Sequence, residues 1–314
     1  MRSSRQRKQT LQGYVSDERR AVLVVNTRSR RGARGYGEAK KLLLKAGVTL
    51  DASYPVRDPA RLQEVVRQAI EEGHRLIIVG GGDGTLSSVV DHFAHRDVVL
   101  GLLPLGTSNS FARTLGLPLT LQGAVDVIAE GRVGDIDLAC INGDYFLNTA
   151  AIGVSASVAR ATPAWMKKYF GTLAYLAIDA AKLLRQKSFH CRVENGDQVD
   201  EFNAMQILIA NGRYHGGVLV APDADVESRD VVVLIVTGKH VWDLGLIWWD
   251  IARGAPPNPR VVTQIRIKAG IINTTPKQYV SIDGEVATQT PARISIAEEA
   301  LMLLVPPTFS DHDE

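Results

Sequence analysis

A run of glycines between a short apolar stretch and a helix-like stretch constrains this chain most strongly. Residues 76–79 are apolar and short enough for a buried strand, and residues 86–90 read as the start of a helix. Between them, residues 80–85 are Gly-Gly-Gly-Asp-Gly-Thr. Glycine permits φ > 0 and close approach of a ligand, and a strand–helix turn offers free N–H groups to a phosphate. An ordinary turn needs only one or two glycines, so we predict a phosphate site in which Asp83 works through a cation such as Mg²⁺.

Composition and charge narrow the class of protein. With 314 residues, 45% of them hydrophobic, the chain is long enough for two domains. A net charge of +2 is too small to indicate nucleic-acid binding. Cys140 and Cys191 are isolated, which predicts reduced structural cysteines, and the basic N-terminus lacks the apolar core of a signal peptide. Because no apolar run approaches the roughly 18 residues of a membrane span, we expect a cytoplasmic protein that is at most peripheral to a membrane.

Residues 21–132 alternate between short apolar stretches and amphipathic stretches of helical length. The pattern predicts strands at 21–26, 48–54, 75–79 and 98–103, and helices at 36–46, 58–72, 108–115 and 121–130. Such alternation favours an α/β domain with a doubly wound, mostly parallel sheet. Residues 1–20 are basic and predict a flexible tail.

After residue 132 the pattern changes to consecutive strands separated by turn signals such as Asn142–Asp144. Strands are predicted at 133–141, 144–152, 188–194, 200–210, 230–237, 260–268, 277–283 and 292–296, with helices at about 168–186 and 240–253. Residues 133–296 are therefore expected to form a β-rich, antiparallel, sandwich-like second domain. We expect residues 297–314 to return to the first domain, and the active site to lie in an interdomain cleft.

A second polar loop, Gly106–Asn109, follows the fourth strand. Ligands bind at the carboxyl ends of neighbouring strands in an open parallel sheet, so this loop and the glycine turn are expected to lie together. The chain has neither GxxxxGK[ST] nor a proper GxGxxG, which argues against Walker-type and dinucleotide sites. The arginines after the first strand fit either phosphate binding or a solvated loop; they are Arg28, Arg30, Arg31 and Arg34.

A third candidate is the segment Ser281–Glu285, at the end of a strand. Asp283 followed by Gly284 fits an ordinary turn. The same carboxylates fit a general base if the second domain closes over the nucleotide loop. The residues alone leave both interpretations open.

Taken in order, these motifs resemble the diacylglycerol kinase catalytic domain, most closely that of the soluble bacterial lipid kinases. Sphingosine and ceramide kinases are relatives. The matching residues are Gly81-Gly82-Asp83-Gly84-Thr85, Pro104-Leu105-Gly106-Thr107-x-Asn109, Asp137-Leu138, Asn148-x-Ala150-x-Ile152-Gly153 and Asp283-Gly284-Glu285. The resemblance runs from about residue 21 to the C-terminus. Gly-Gly-Asp-Gly alone also occurs in NAD kinases and phosphofructokinases, whereas the combination is much more specific.

The resemblance implies ATP- and Mg²⁺-dependent transfer of the γ-phosphoryl group to a lipid hydroxyl at the membrane surface. It implies that Asp83 holds Mg²⁺ through water, and that either Glu285 or Asp283 accepts the proton of the hydroxyl. Arg113 and Asp137 correspond to positions that shape the family's active site. The residues implied in ATP contact are Asn26, Thr27, Arg28, Ser29, Arg30, Ser53, Gly82, Asp83, Gly84, Thr85, Leu86, Ser87, Ser88, Thr107 and Asn109.

One departure from the family pattern lies in the second loop. The family usually has Asp after the Asn of Gly-Thr-x-Asn, and this chain has Ser110, which weakens the expected link between Asp83 and magnesium. Retention of Asp83, Asp283 and Glu285 favours an active enzyme. Two alternatives stay open: a catalytically impaired nucleotide-binding module of the same fold, and a small-molecule kinase of the NAD-kinase type.

Another departure concerns metal binding in the second domain. The family often has an Asp-Gly pair before the strand at 230–237, tied to a structural Mg²⁺ site. Alignment through residues 221–224 puts Ser228 and Arg229 there, and a cationic Arg in place of Gly argues against that site. The nearby acidic residues are expected to be solvated turn residues; they are Asp225, Glu227 and Asp230.

Two apolar stretches fit contact with a lipid. Residues 241–251 hold three of the four tryptophans, and residues 165–176 combine lysines with aromatic side chains. Core packing, an acyl-chain pocket and the membrane interface each explain them. The sequence leaves the identity of the lipid and the oligomeric state open.

Overall fold

The computed structural model describes residues 4–153, 188–237 and 258–310, together with Ile247 and Asp250. The chain divides into two compact units. Unit 1 comprises Met1–Leu138 and Ala297–Glu314, and unit 2 comprises Ala139–Ile296. The first division therefore falls after Leu138 rather than after residue 132.

Unit 1 is built on a parallel sheet, as the alternation of strands and helices predicts. Its strands β1 (Arg20–Asn26), β2 (Thr49–Val56), β3 (Leu76–Gly81) and β4 (Val99–Pro104) lie in the order β2-β1-β3-β4. The second half of the last strand, β18 (Ala292–Leu304), pairs in parallel with β4. Both β3 and β4 are buried at every position. Continuously apolar strands of this kind are typical of a sheet covered on both faces.

The described helices of unit 1 are α1 (Ser4–Asp17), α2 (Arg30–Lys45), α3 (Pro59–Glu71), α4 (Asp83–Ser87), α5 (Val90–Phe93), α6 (Ser110–Thr114) and α7 (Leu121–Glu130). Helix α3 shows how local sequence sets these elements. Asp58 caps its start by accepting the Ala60 N–H at 3.1 Å, and Pro59 occupies the first helical position. One face is buried through side chains three or four residues apart; they are Leu62, Val65, Val66 and Ala69.

The N-terminal segment is a helix, whereas its basic composition predicts a flexible tail. Leu11 and Val15, four residues apart in α1, are each only 3% exposed and join the core of unit 1. Lys8 pairs with the buried Asp135 at 3.0 Å. The Gln12 side chain accepts the Val133 N–H at 2.7 Å. The apolar pair and these long-range bonds order the segment. A prediction based on its basic composition does not take either of them into account.

Unit 2 is a β-sandwich with antiparallel strands. One layer has the order β14-β13-β10-β7-β16-β17, formed by β7 (Thr149–Gly153), β10 (Gln206–Ala210), β13 (Val231–Val236), β14 (Val262–Ile267), β16 (Tyr279–Ile282) and β17 (Glu285–Gln289). The other includes β8 (Phe189–Asn195), β9 (Gln198–Ala204), β15 (Gly270–Thr275) and the first half of β18, with the hairpin of β5 (Val133–Ile141) and β6 (Asp144–Phe146). The short strands β11 (Tyr214–His215) and β12 (Val218–Leu219) form a separate two-stranded sheet. Phe146, Phe189, Ile207, Val233 and Ile272 belong to one buried cluster that contains residues of both layers.

Several strands differ from the sequence-based expectation. The single strand predicted at 200–210 is two strands, β9 and β10, which belong to different layers. Strand β18 continues from Ala292 to Leu304, and Glu299 takes φ 52° where its pairing changes from β15 to β4. The predicted helices at 168–186 and 240–253 and the two apolar stretches lie outside the described residues, except for Ile247 and Asp250.

Among the described helices, none is both long and apolar enough to cross a membrane. Cys140 and Cys191 are free. Burial raises the pKa of the Cys191 thiol to about 12, so this thiol stays protonated near neutral pH. Its place in the apolar core of unit 2 agrees with a structural cysteine.

Candidate active site

Three loops of unit 1 follow adjacent parallel strands β1, β3 and β4, and hydrogen bonds join them. Asn26, at the end of β1, donates from Nδ2 to Oγ1 of Thr85 at 2.9 Å. Arg31 donates from Nη1 to the carbonyl oxygen of Gly106 at 2.9 Å. The carboxyl edge of the sheet therefore holds one connected polar surface, at the place where open α/β sheets bind ligands.

The glycine turn is needed for close packing, and the φ > 0 expected from sequence is not used there. None of the glycines at 80–82 and 84 has a positive φ. A Cβ added to Gly82 would lie 2.9 Å from the Cα of Gly106, and a Cβ on Gly106 would collide with the Cα of Gly82. A Cβ on Gly81 would come within 2.5 Å of the Thr85 side chain. The glycines thus let two loop backbones touch.

Replacing Gly106 with alanine is expected to push the two loops apart. The added methyl group has no space, so we expect the dissociation constant for ATP to rise roughly tenfold or more. Isothermal titration with ATP and Mg²⁺ measures this change. Gly37→Ala is the matched control, because a Cβ at Gly37 meets nothing within 4 Å. Unchanged ATP affinity in Gly106→Ala would contradict a nucleotide site at these loops.

Asp83 begins α4 and links the glycine turn to the following loop. Its Oδ1 accepts the backbone N–H of Phe111 at 3.1 Å, so the carboxylate caps α6. Its Oδ2 meets no donor among the described residues. The backbone N–H groups of Asp83 and Gly84 likewise meet no acceptor among these residues. One carboxylate oxygen and two N–H groups are thus available to a cation and an anion.

Asn109 turns inward and shapes its own loop. It is 4% exposed and takes φ 48°, ψ 48°. Its Oδ1 accepts the Gly106 N–H at 2.9 Å, and its Nδ2 donates to the Gly106 and Pro104 carbonyl oxygens at 3.1 and 3.3 Å. Thr107 lies exposed at the tip. Arg113 donates from Nε to the Ser108 carbonyl at 3.0 Å. The side chain of Asn109 therefore holds the loop that presents Thr107.

Several other expected nucleotide contacts also have structural partners. Ser29 caps α2 by accepting the Gly32 N–H at 3.0 Å. Leu86 is 3% exposed, so its side chain belongs to the core. Thr27 is buried and donates to the Val56 carbonyl at 3.2 Å. Ser88 donates to the Thr85 carbonyl at 2.8 Å.

Ser53 lies apart from these loops. It pairs with Leu23, three residues before the end of β1, which corresponds to about 10 Å along the strand. Its hydroxyl bonds Tyr36 Oη at 3.0 Å and Lys40 Nζ at 3.2 Å. Arg28 and Arg30 are exposed, and Ser87 is half-buried on α4.

The arginines after β1 surround a cavity. Arg30, Arg31 and Arg34 line a space of about 360 Å³ together with Glu38 and an apolar floor. All three side chains are exposed. No ion pair of Arg30 or Arg34 occurs within the described residues. This arrangement keeps cationic heads available to an anion rather than to the protein's own carboxylates.

In unit 2, Asp283 organises the turn between β16 and β17. Ile282 pairs with Glu285, and Asp283 and Gly284 take φ of 45° and 91°, as a two-residue hairpin turn of type I′ requires. The Asp283 carboxylate accepts three backbone N–H groups at 3.1–3.2 Å, all from the segment that leads into β7. They belong to Leu147, Asn148 and Thr149. These three bonds tie the turn to the start of β7.

Glu285 differs from Asp283 in its surroundings. Its side chain is exposed. It has no hydrogen bond or ion pair to any described residue. Of the two carboxylates that the sequence leaves as alternatives, Glu285 is the one whose side chain makes no bond to a described residue.

Ser110 and Asp137 are buried. Ser110, the first residue of α6, is 2% exposed. Asp137 is 4% exposed, and its Oδ1 accepts the Glu299 N–H at 2.8 Å, where β18 changes partner.

Sequence reasoning did not identify the Arg31–Gly106 bond or the Asp83–Phe111 cap. Only the basic loop and the position of Asp83 before a helix hinted at them.

Comparisons with known families cover both units. Residues 20–141 match the family model described as the diacylglycerol kinase catalytic domain. Residues 148–305 match the model described as the YegS C-terminal NAD kinase beta sandwich-like domain. The first match contains the three loops at the edge of the parallel sheet, and the second contains the Asp-Gly-Glu turn.

Relatives named diacylglycerol kinase are similar over most of their length. That of Staphylococcus epidermidis is 30% identical over 242 residues, 76% of this chain and 77% of the relative. That of Staphylococcus haemolyticus is 31% identical over 254 residues, 80% and 76% of the two chains. A crystal structure of a diacylglycerol kinase from Bacillus anthracis aligns with a TM-score of 0.73 at 20% identity, over 93% of this chain and 98% of that chain. This last likeness supports the two-unit fold.

Proposed function

Because the chain belongs to the diacylglycerol kinase family, as its motifs predict, we propose that it is a lipid kinase that transfers the γ-phosphoryl group of ATP to a lipid hydroxyl. The acceptor is diacylglycerol-like or sphingoid- and ceramide-like, and the product is a phospholipid. The observation that carries the proposal is the joined set of loops around Asp83, whose Oδ2 and neighbouring N–H groups are available to a ligand. The interdomain position of the active site stays a prediction.

The three loops of unit 1 hold the nucleotide. Backbone N–H groups at the start of α4 bind phosphate oxygens, and Thr107 contacts them from the exposed tip of its loop. Asn26 and Asn109 act mainly by fixing Thr85 and Gly106. We expect the side chains of Thr27 and Leu86 to serve packing, so that their part in ATP contact comes from the backbone.

The donor set at Asp83 fits Mg²⁺ bound mostly through water and phosphate oxygens. The described residues hold no group of three or more His, Cys, Asp or Glu that could bind a metal ion. Magnesium usually keeps several waters and takes one or two carboxylates plus substrate phosphates. The single available oxygen of Asp83 suits that pattern. When bound, the ion neutralises charge on the transferred phosphoryl group.

Glu285 acts as the general base. Its exposed carboxylate accepts the proton of the lipid hydroxyl as that oxygen attacks the γ-phosphorus and ADP leaves. Asp283 positions Glu285 through the three backbone bonds that fix the turn. Arg113 supports the site from α6, and Asp137 supports it from β5, where its carboxylate accepts the Glu299 N–H of β18.

The arginine-lined cavity offers a contact for a membrane carrying anionic lipid. Three exposed arginines line it together with the half-buried Leu119 and Leu121 and the buried Pro104 and Leu105. Cationic heads beside an apolar floor suit the headgroup boundary, and the attraction weakens as salt rises. Such contact would bring the enzyme to its lipid as a peripheral protein.

Measuring ADP release with a panel of acceptors tests this function against its alternatives. The panel contains diacylglycerol, ceramide and sphingosine in mixed micelles, NAD in solution, and no acceptor. We expect release to depend on Mg²⁺ and on one of the lipids. Release with NAD alone would indicate a small-molecule kinase, and ATP binding without release under any condition would indicate a catalytically impaired module.

A further inference from the structure

The turn before β13 carries four acidic residues in eight positions: Asp223, Asp225, Glu227 and Asp230. The family pattern expects an Asp-Gly pair here that is tied to a structural Mg²⁺ ion, and this chain has Ser228 and Arg229. Concentrated carboxylates repel one another unless a cation or N–H donors neutralise them. The contacts of this turn identify what takes that role.

A guanidinium group from the neighbouring strand β14 reaches into the turn. Arg266 lies opposite Val232 in the β13–β14 pairing, two residues from Asp230. Its Nη1 donates to Asp230 Oδ1 at 2.8 Å, and its Nη2 donates to the Asp223 carbonyl at 2.6 Å. The Asp230 side chain is only 14% exposed. One planar group thus binds both ends of the acidic segment, which corrects the expectation that Asp230 is solvated.

Other donors take up oxygens that a metal ion would need. Ser228 donates from Oγ to Asp230 Oδ1 at 2.9 Å and contacts the Asp225 carbonyl at 2.8 Å. Gln264 donates to Asp223 Oδ2 at 3.1 Å. The Asp225 carboxylate accepts the Glu227 N–H at 3.1 Å and lies 3.8 Å from the Arg213 guanidinium. The Asp225 side chain is 32% exposed, so it combines these contacts with the solvent contact expected from sequence.

This donor set does not fit a divalent cation. Magnesium requires near-octahedral oxygen ligands at about 2.0–2.1 Å. Here one carboxylate oxygen of Asp223 and one of Asp230 already accept N–H or O–H groups, and a hydroxyl stands where the family has a carboxylate. Arg229, at φ 56°, replaces the glycine that suits this left-handed position.

We propose that the guanidinium of Arg266 replaces the structural cation of this turn, so that unit 2 folds and stays stable without a divalent metal. Arg266 supplies a delocalised positive charge and two directed N–H donors, which suit a carboxylate and a carbonyl better than a lysine would. The Mg²⁺ requirement of the enzyme then belongs to the nucleotide alone.

Metal content and thermal unfolding of the full chain without nucleotide test the proposal. We expect far less than one equivalent of Mg²⁺ or Ca²⁺ in the purified protein. We also expect the same melting temperature in EDTA and in millimolar Mg²⁺ or Ca²⁺. A stoichiometric divalent ion, or a melting temperature that falls in EDTA, would overturn it.

Substitution of Arg266 tests the role of the guanidinium directly. Arg266→Met is expected to lower the melting temperature by roughly 2–5 °C, because a partly buried carboxylate loses its charge partner. The matched control is Arg260→Met, an exposed arginine whose side chain has no partner within the described residues. Equal melting temperatures of these two variants would contradict the proposal.

Restoring the family pair shows whether guanidinium and metal are interchangeable. Ser228→Asp with Arg229→Gly and Arg266→Met is expected to gain melting temperature on addition of Mg²⁺ or Ca²⁺. The same pair with Arg260→Met keeps the guanidinium at position 266 and is expected to show no gain. If neither ion raises the melting temperature of the triple variant with Arg266→Met, or if both proteins gain equally, Arg266 does not replace the metal ion.

Discussion

Glu285→Gln is expected to lower kcat for lipid phosphorylation by about 10²–10⁴-fold, the usual contribution of a general base. The amide keeps the shape of the side chain and removes its proton affinity. Glu285 is exposed and unbonded among the described residues, so we expect no change in melting temperature and little change in ATP affinity. Kinetics with saturating ATP and a thermal melt of the same sample measure both. Parental kcat in Glu285→Gln would refute this role.

Asp283→Asn tests whether the turn that carries Glu285 depends on the Asp283 carboxylate. An amide presents an NH₂ group to at least one of the three N–H donors that the carboxylate now accepts. We expect a loss of about 1.5–3 kcal/mol in unfolding free energy, typical of hydrogen bonds to a charged group. Activity is expected to fall because the turn that carries Glu285 loosens. Asp197→Asn, an exposed carboxylate in another hairpin turn, is the control. A stable Asp283→Asn protein with normal Glu285 function would show that the turn needs no such support.

Two substitutions of Asp83 are expected to separate its metal role from its capping role. Asp83→Asn keeps an oxygen for the Phe111 N–H, so stability is expected to hold while kcat falls by about 10²–10³-fold through lost charge near the phosphates. Asp83→Ala also removes the cap, so its unfolding free energy is expected to fall by about 0.5–2 kcal/mol. Turnover assays and denaturant unfolding of both variants measure the difference.

Glu130→Gln serves as the control for a neutralised carboxylate, because Glu130 is exposed and makes no bond to a described residue. It is expected to behave as the parent protein in both assays. Near-parental turnover in Asp83→Asn would show that the Asp83 carboxylate is not needed to bind Mg²⁺.

Much of unit 1 could be predicted from sequence because its signals are local. The continuously apolar residues of β3 and β4, and the Asp58-Pro59 start of α3, are visible without knowledge of the fold. The same holds for the type I′ turn at Asp283-Gly284, since an Asp-Gly pair favours it.

The features that escaped prediction depend on partners distant in sequence. Helix α1 is ordered by Leu11 and Val15 packing on residues far along the chain. The sequence of residues 200–210 gives no sign that β9 and β10 belong to different layers.

The direction of polar side chains was equally hidden. Asn109 and Asp283 carry the family pattern, yet both bond backbone groups of their own unit. A motif shows which residues are present, and only the folded chain shows which oxygens they leave available. The choice between Asp283 and Glu285 rests on that difference.

Transfer of label from [γ-³²P]ATP to a lipid tests the central claim most directly. The parent protein and Glu285→Gln are incubated with Mg²⁺ and the lipid that stimulates ADP release, dispersed with anionic phospholipid. We expect labelled phospholipid from the parent protein and about 10²–10⁴-fold less from the variant, with ATP binding intact in both. Absence of labelled lipid from a parent protein that binds Mg-ATP, or equal labelling by both proteins, would contradict the account.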